Sequence, residues 1–159
     1  MGKPLKRHPA LVPLSQDHHF GLLLVWKIRK GLKMGLETNR ILNYMDYFVR
    51  EHLEPHFQLE EEHIFSNLAK NDLMRKEVEQ QHADLRGIVQ QLHKEKEGMN
   101  DLMEKFASDL EAHIRFEERK LFQHMQLELT ENELQGMEES VHRIHEKTIE
   151  NWQDQFWEN

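Results

Sequence analysis

The sequence predicts an all-α protein, an antiparallel up-down-up-down four-helix bundle with a short additional C-terminal helix, and three observations carry that prediction. Proline stands only at positions 4, 9, 13 and 55, so beyond Leu14 almost nothing breaks a helix. Apolar residues recur at steps of three and four along four segments of helical length, which is a 3.6-residue period and not the two-residue period of a strand. No segment alternates as a strand would, and there is neither a repeat of fixed period nor a low-complexity stretch. Four such helices joined by short connections are the ingredients of a bundle.

Residues 1–13, with their three prolines, read as an extended N-terminal arm, and residues 14–159 as one helical domain, since a chain of this length supports a single core. The first helix opens near Ser15 and Asp17 and ends at Gly31 and Gly35. Its charged residues Lys27, Arg29, Lys30 and Lys33 mark a wet face. Leu24, Val25, Ile28 and Leu32 then point inward, with His18 at the edge of that arc and His19 toward solvent. Thr38 and Asn39 cap a second helix whose inner line is Ile41, Met45, Phe48, His52, His56 and Leu59, bent at Pro55. A third runs from about Asp72 to His93 through Val78, His82, Leu85 and Leu92. Asn100 caps a fourth, with Met103, Phe106, Leu110, His113, Glu117 and Leu121 inward. A fifth, shorter helix begins at Thr130, where Glu133 completes a capping-box pattern. The tail residues Trp152, Phe156 and Trp157 are expected to dock on the bundle.

Composition narrows the chemistry. There is no cysteine, which removes disulfides, thiolate nucleophiles and iron–sulfur clusters and leaves only nitrogen and oxygen ligands for any metal. A net charge of -8, with 29 acidic against 21 basic residues, disfavours a nucleic-acid partner, which needs a positive surface. The apolar stretch Leu22 to Trp26 is far shorter than the ~20 residues of a membrane span, and Met1 to Arg7 lacks a signal-peptide core. A cytoplasmic location without membrane contact is therefore expected. Twelve histidines are an unusual load and call for an explanation.

One motif occurs twice: His56-Phe57-Gln58-Leu59-Glu60-Glu61 followed by Ile64-Phe65, and His113-Ile114-Arg115-Phe116-Glu117-Glu118 followed by Leu121-Phe122. The i, i+4 spacing puts an imidazole and a carboxylate on one helical face, about 6 Å apart along the axis. Both lie on the apolar inner line, where an unpaired carboxylate is strongly unfavourable and a bound cation is the simplest remedy. His82 and His18 bring one more inward imidazole each from the third and first helices.

With these elements in order, the sequence resembles the hemerythrin-like domains that carry a His-His-Glu cation-binding signature. The resemblance runs from Leu14 to Phe122 through Asp17-His18-His19, His56-x-x-x-Glu60-Glu61, His82 and His113-x-x-x-Glu117-Glu118. It implies a left-handed four-helix bundle with two iron ions that binds or senses dioxygen, nitric oxide or peroxide. Carried over residue by residue, Glu60 and Glu117 bridge the irons, His18 and His56 hold one, and His82 and His113 hold the other. Zinc or manganese could take the same ligands, so the preference for iron rests on the resemblance. One departure stands out. Oxygen-carrying hemerythrins have a second histidine one turn from that of the third helix, and here those positions are Val78 and Arg86, which puts reversible oxygen carriage in doubt.

The remaining candidates are read conservatively. His8, His93, His142 and His145 are assigned to solvent, His52 to a supporting hydrogen bond more readily than to a ligand, and Glu61, Glu62 and Glu118 to solvated charges. His63, about one turn past Glu60, could reach the site, whereas His124 is too far along its helix. A plain bundle with histidines hydrogen-bonded in its core is the bland alternative. It would bury two ionisable motifs for no return. The functional alternatives are a di-iron carboxylate enzyme, such as a ferroxidase or peroxide reductase, and iron storage. The pair Glu60-x-x-His63 is a feature that favours a ferritin-like ligand set.

Overall fold

The computed structural model describes residues 6–158, which are helical throughout their regular structure and contain no strand. α1 (Val12–Lys33) opens ahead of Ser15, with Pro13 in its first turn, where a missing N–H costs nothing. Ala10 and Leu11, just before it, are fully buried. The arm expected over residues 1–13 therefore packs on the body from at least Ala10 onward, and its residues 1–5 lie outside the described part. Gly35, at φ 69°, turns the chain after α1 in the left-handed region that glycine accepts without strain.

The second rod is one helical run in pieces: α2 (Thr38–Phe48), a π-helical turn (Val49–Leu53), α3 (Glu54–Leu59), a second π turn (Glu60–Ile64) and a short 3-10 turn (Phe65–Asn67). Pro55 sits in the first turn of α3, and the Glu54 N–H before it reaches back to the Val49 carbonyl. The irregularity expected at Pro55 thus takes the form of a widened turn just upstream. α4 (Leu73–Lys94) is capped by Asp72, whose carboxylate accepts the Arg75 N–H at 3.0 Å. α5 (Met99–Phe116) follows Gly98, at φ 69°, and not an Asn100 cap. It runs through a third π turn (Glu117–Leu121) into α6 (Phe122–Glu128). α7 (Glu131–Ile144) has the Thr130–Glu133 capping box that the sequence indicates. Among the described residues no helix is long and apolar enough to cross a membrane.

α1 and α4 both pack along α5, α1 along α2, and α7 against the π turn at Glu60. The buried apolar residues form two separate clusters. One contains Leu24, Ile28, Tyr44, Phe57, Leu85 and Phe106, and the other Leu14, Leu59, Phe65, Val78, Leu121 and Val141. Following the chain, α1 passes from the second cluster to the first, the next rod from the first to the second, α4 from the second to the first, and α5–α6 back again. The predicted histidines and glutamates lie between the two.

The tail docks as expected. Phe156 and Trp157 are buried, Trp157 lies 4.8 Å from the Tyr44 ring and Trp152 stacks 4.9 Å from Tyr47. This covering corrects the reading of Lys27 as part of a wet face. Its ammonium is buried, donates to Glu150 at 2.8 Å and to the Tyr44 hydroxyl at 3.0 Å, and stands 4.1 Å over the Trp157 ring. A helical wheel has no means of seeing a tail that returns over it.

Gly31 marks the tightest approach in this region, because a Cβ there would stand 2.9 Å from both Ile41 and Phe156. Gly31→Ala is expected to lower stability by about 1–3 kcal/mol through overpacking, measured by urea denaturation, with metal content unchanged. A variant as stable as the parent would mean that the tail does not hold this position.

Candidate metal centre

Between the two apolar clusters the four rods turn ionisable side chains toward one another. α1 supplies His18, α3 and its following π turn His56 and Glu60, α4 His82, and α5 with its π turn His113 and Glu117. All six are buried, and Glu60, His82 and Glu117 show no exposed surface at all. Both glutamates occupy the first position of a π turn, a backbone irregularity that recurs at functional sites.

Each imidazole is held from behind through its Nδ1–H. His18 donates to Glu118 at 2.7 Å, His56 to Asp17 at 2.9 Å, His82 to Glu61 at 2.6 Å and His113 to the Gln81 side-chain oxygen at 2.7 Å. Such partners fix the ring orientation, so that each Nε2 faces inward and offers a lone pair once any proton on it is displaced. These four Nε2 atoms and all four oxygens of Glu60 and Glu117 are buried without a hydrogen-bond partner. They do approach one another: His18 Nε2 lies 2.8 Å from Glu117, His56 and His82 Nε2 each 3.2 Å from Glu60, and His113 Nε2 3.6 Å from Glu117. None of these contacts has hydrogen-bond geometry. Orphaned polar atoms cost roughly 1–3 kcal/mol each, and atoms that converge without pairing are what a cation between them requires. The residues fit a metal.

The donor atoms fall into two groups, His18, His56, Glu60 and Glu117, and Glu60, His82, His113 and Glu117. Within each group one atom per residue lies within 4.8 Å of the others. Both carboxylates belong to both groups.

Electrostatics of the metal-free site agree with this. Burial drives the Glu117 carboxyl well above the ordinary carboxylate range and the Glu60 charge adds to it, whereas His56 and His82 overcome burial to hold Glu60 low. Burial pushes the His18 and His82 rings down, but their flanking carboxylates outweigh it and carry each up to about 9. His56 is likewise raised, against burial, by Glu60 and Asp17. His113, backed by a neutral amide, is lowered by burial and by the charge of His82. Without a cation, protons must supply the missing positive charge.

A family model described as the hemerythrin HHE cation-binding domain matches residues 17–125. The chain belongs to the hemerythrin HHE cation-binding domain family. Comparison with curated proteins gives no match, and comparison with solved structures gives none either.

Neither departure position offers a ligand: Val78 is fully buried in the apolar cluster, and Arg86 donates to Glu54 at 2.7 Å and to Glu61 at 2.8 Å while lying 5.5 Å from the Phe57 ring. Glu61 and Glu118 are not solvated charges. Rotation by a third of a turn away from the centre points a side chain at the adjacent rod in a bundle, so each carboxylate reaches a histidine of its neighbour. His145 is not solvated either, since its Nε2 meets Asp17 at 2.9 Å and so supports the residue behind His56. His8 also packs down, its Nδ1 accepting the Ala10 N–H at 3.0 Å and its Nε2 meeting Glu131 at 3.1 Å. His19 and His142 are exposed. His93 remains half exposed beside Asp46, and His124 pairs with Asp72 at 2.6 Å, away from the centre. His63 lies outside both donor groups, with Glu62 its nearest ion-pair partner at 3.9 Å, so the Glu60-x-x-His63 pair does not form. Asp17 and Gln81 were missed as supporting groups, although Asp17 directly precedes His18 and Gln81 directly precedes His82.

Removing a group that orients a metal-facing histidine costs about 10–100-fold in affinity. Glu61→Ala and Glu118→Ala are each expected to show a loss of that size by metal titration, while Glu62→Ala, whose side chain is exposed, leaves affinity unchanged. Loading also has a pH signature. With His18 and His82 protonated up to about 9 in the metal-free protein, binding must displace protons. Apparent affinity is expected to climb as pH rises to about 9, with proton release measurable by calorimetry in two buffers. A flat profile would contradict this charge distribution.

Proposed function

We propose that this protein holds two iron ions bridged by Glu60 and Glu117, with His18 and His56 on one and His82 and His113 on the other. On this reading it binds or senses dioxygen or a related small ligand such as nitric oxide or peroxide. The observation that carries it is the overlap of the two donor groups in both carboxylates. Two cations separated by one layer of shared ligands are the simplest way to satisfy the orphaned atoms of these six residues at once. Membership of the cation-binding family supports the metal, and the all-nitrogen and oxygen donor set suits iron, with zinc or manganese as substitutes.

The arrangement that would hold the pair is an antiparallel up-down-up-down bundle. The alternate passage of successive rods between the two apolar clusters supports that topology. Four protein donors per ion leave coordination positions free, and iron in such a setting supplies redox-active binding of a small ligand. The chain contributes the rest: apolar packing above and below excludes water, the Nδ1 partners hold the rings in place, and the carboxylates balance the charge. Glu60 and His63 do not pair, and Glu79, three residues before His82, pairs with Arg75 at 3.5 Å outside both donor groups, so the ferritin-like reading loses its support and binding or sensing is the preferred role. The proposed setting is the cytoplasm, where a reducing medium keeps ferrous iron available.

Anaerobic loading with ferrous iron is expected to give two metals per chain by elemental analysis. Glu60→Ala and Glu117→Ala should each lose both. Addition of azide to the oxidised loaded protein should shift its charge-transfer bands. A single metal per chain, or loss of only one in each variant, would sink the bridged arrangement.

A further inference from the structure

Besides the four rings that face the centre, one further buried imidazole nitrogen lacks a partner among the described residues: Nε2 of His52. In an unbroken α-helix His52 would sit one turn above His56 on the same face. The π turn Val49–Leu53 contains it and shifts it out of register, and it belongs to neither donor group. It is therefore close to the centre without being part of it. Its ring is fixed in place by edge contacts with Phe48, at 5.2 Å, and Tyr47, at 5.6 Å.

His52 borders a cavity of about 20 Å³ whose wall also includes His18, His56 and His113 and apolar side chains such as Phe48, Leu110 and Ile114. That volume holds one or two water-sized groups. On its other side His52 borders an outer cleft of about 590 Å³, and Asp17, His56 and Thr148 border both spaces. The ring is partly exposed while its Nε2 is buried and unpaired. A polar atom left unpaired beside a small chamber that also borders three of the converging imidazoles is a fixed point for whatever enters it.

We infer that His52 is the hydrogen-bond partner of a one- or two-atom ligand held in this chamber, next to the metal position of His18 and His56, and stands between that ligand and the outer cleft. The inference rests on the proposed metal pair and adds a residue that holds the exogenous ligand and not the metal. Size selection comes from the same wall. Gly21 lines the chamber, and a Cβ there would stand 2.8 Å from the Ile114 side chain, so a methyl group narrows the space without touching a metal-facing residue.

The test uses nitric oxide on the ferrous-loaded full chain. His52→Leu and His52→Gln are compared with the parent for metal content, nitric oxide dissociation rate and the N–O stretching frequency in H2O and D2O. The expected result is two metals in all three proteins. Dissociation should be faster on the order of tenfold in His52→Leu, as for loss of one hydrogen bond, and largely restored in His52→Gln. The solvent-isotope shift of the N–O stretch should be present in the parent and absent in His52→Leu. Gly21→Ala should weaken binding with metal content intact. Unchanged rates and an unchanged isotope shift in His52→Leu would overturn the inference. A parent that binds two metals but no nitric oxide would overturn it while leaving the metal pair standing, and a parent that binds no metal would refute both.

Discussion

Two carboxylates and four imidazoles buried in one layer, with no partner among themselves, are the constraint around which the rest of this protein is arranged. They split the apolar interior into two clusters that do not merge, so each rod must carry its polar residue at the same height as the other three. Because consecutive rods pass between the two clusters in alternate order, that height falls in the first half of α1 and α4 and at or beyond the middle of the rods between and after them. The duplicated His-x-x-x-Glu motif occupies the latter two. Register along the bundle is thereby set by polar atoms, which do not tolerate a slip of one turn, more strictly than apolar packing alone would set it.

The layer is built in two shells of unequal character. The inner atoms converge without pairing, while the outer ones form a closed set in which every ring has a dedicated acceptor from a different helix. Glu118 ties α1 to the last π turn, Glu61 ties α4 to the second rod, and Gln81 ties α5 to α4. Helix-to-helix contacts of this kind hold the rods together before any cation is present. They also grade the rings electrically, since three stand against carboxylates and His113 stands against a neutral amide. The centre is therefore asymmetric despite the repeated motif.

Much of this was legible in the sequence. Inner-line periodicity located the helices, the capping box at Thr130 marked the start of α7, and the repeated motif with His18 and His82 named the residues that the fold brings together. What stayed hidden depends on partners from elsewhere in the chain. A helical wheel places Glu61 and Glu118 beside the inner face, but whether that side meets water or a neighbouring rod is a tertiary fact. The π turns carry no periodic signature, since each adds a single residue to an otherwise regular pattern. His145 and Lys27 looked like surface groups because the residues that cover or meet them are far away in sequence, in the tail and in α1.

The last of these connections bears on how the molecule is made. His56 is steadied by Asp17, and Asp17 in turn receives His145 and the Thr148 hydroxyl, so a ring from the second rod depends on residues that follow α7. On a ribosome those residues emerge after every metal-facing side chain has already been exposed. Until they arrive, the outer cleft has only one wall and His56 lacks part of its backing. Docking of residues 145–157 over α1 and α2 thus completes the backing of His56, and the order of synthesis puts it last among the contacts of the centre.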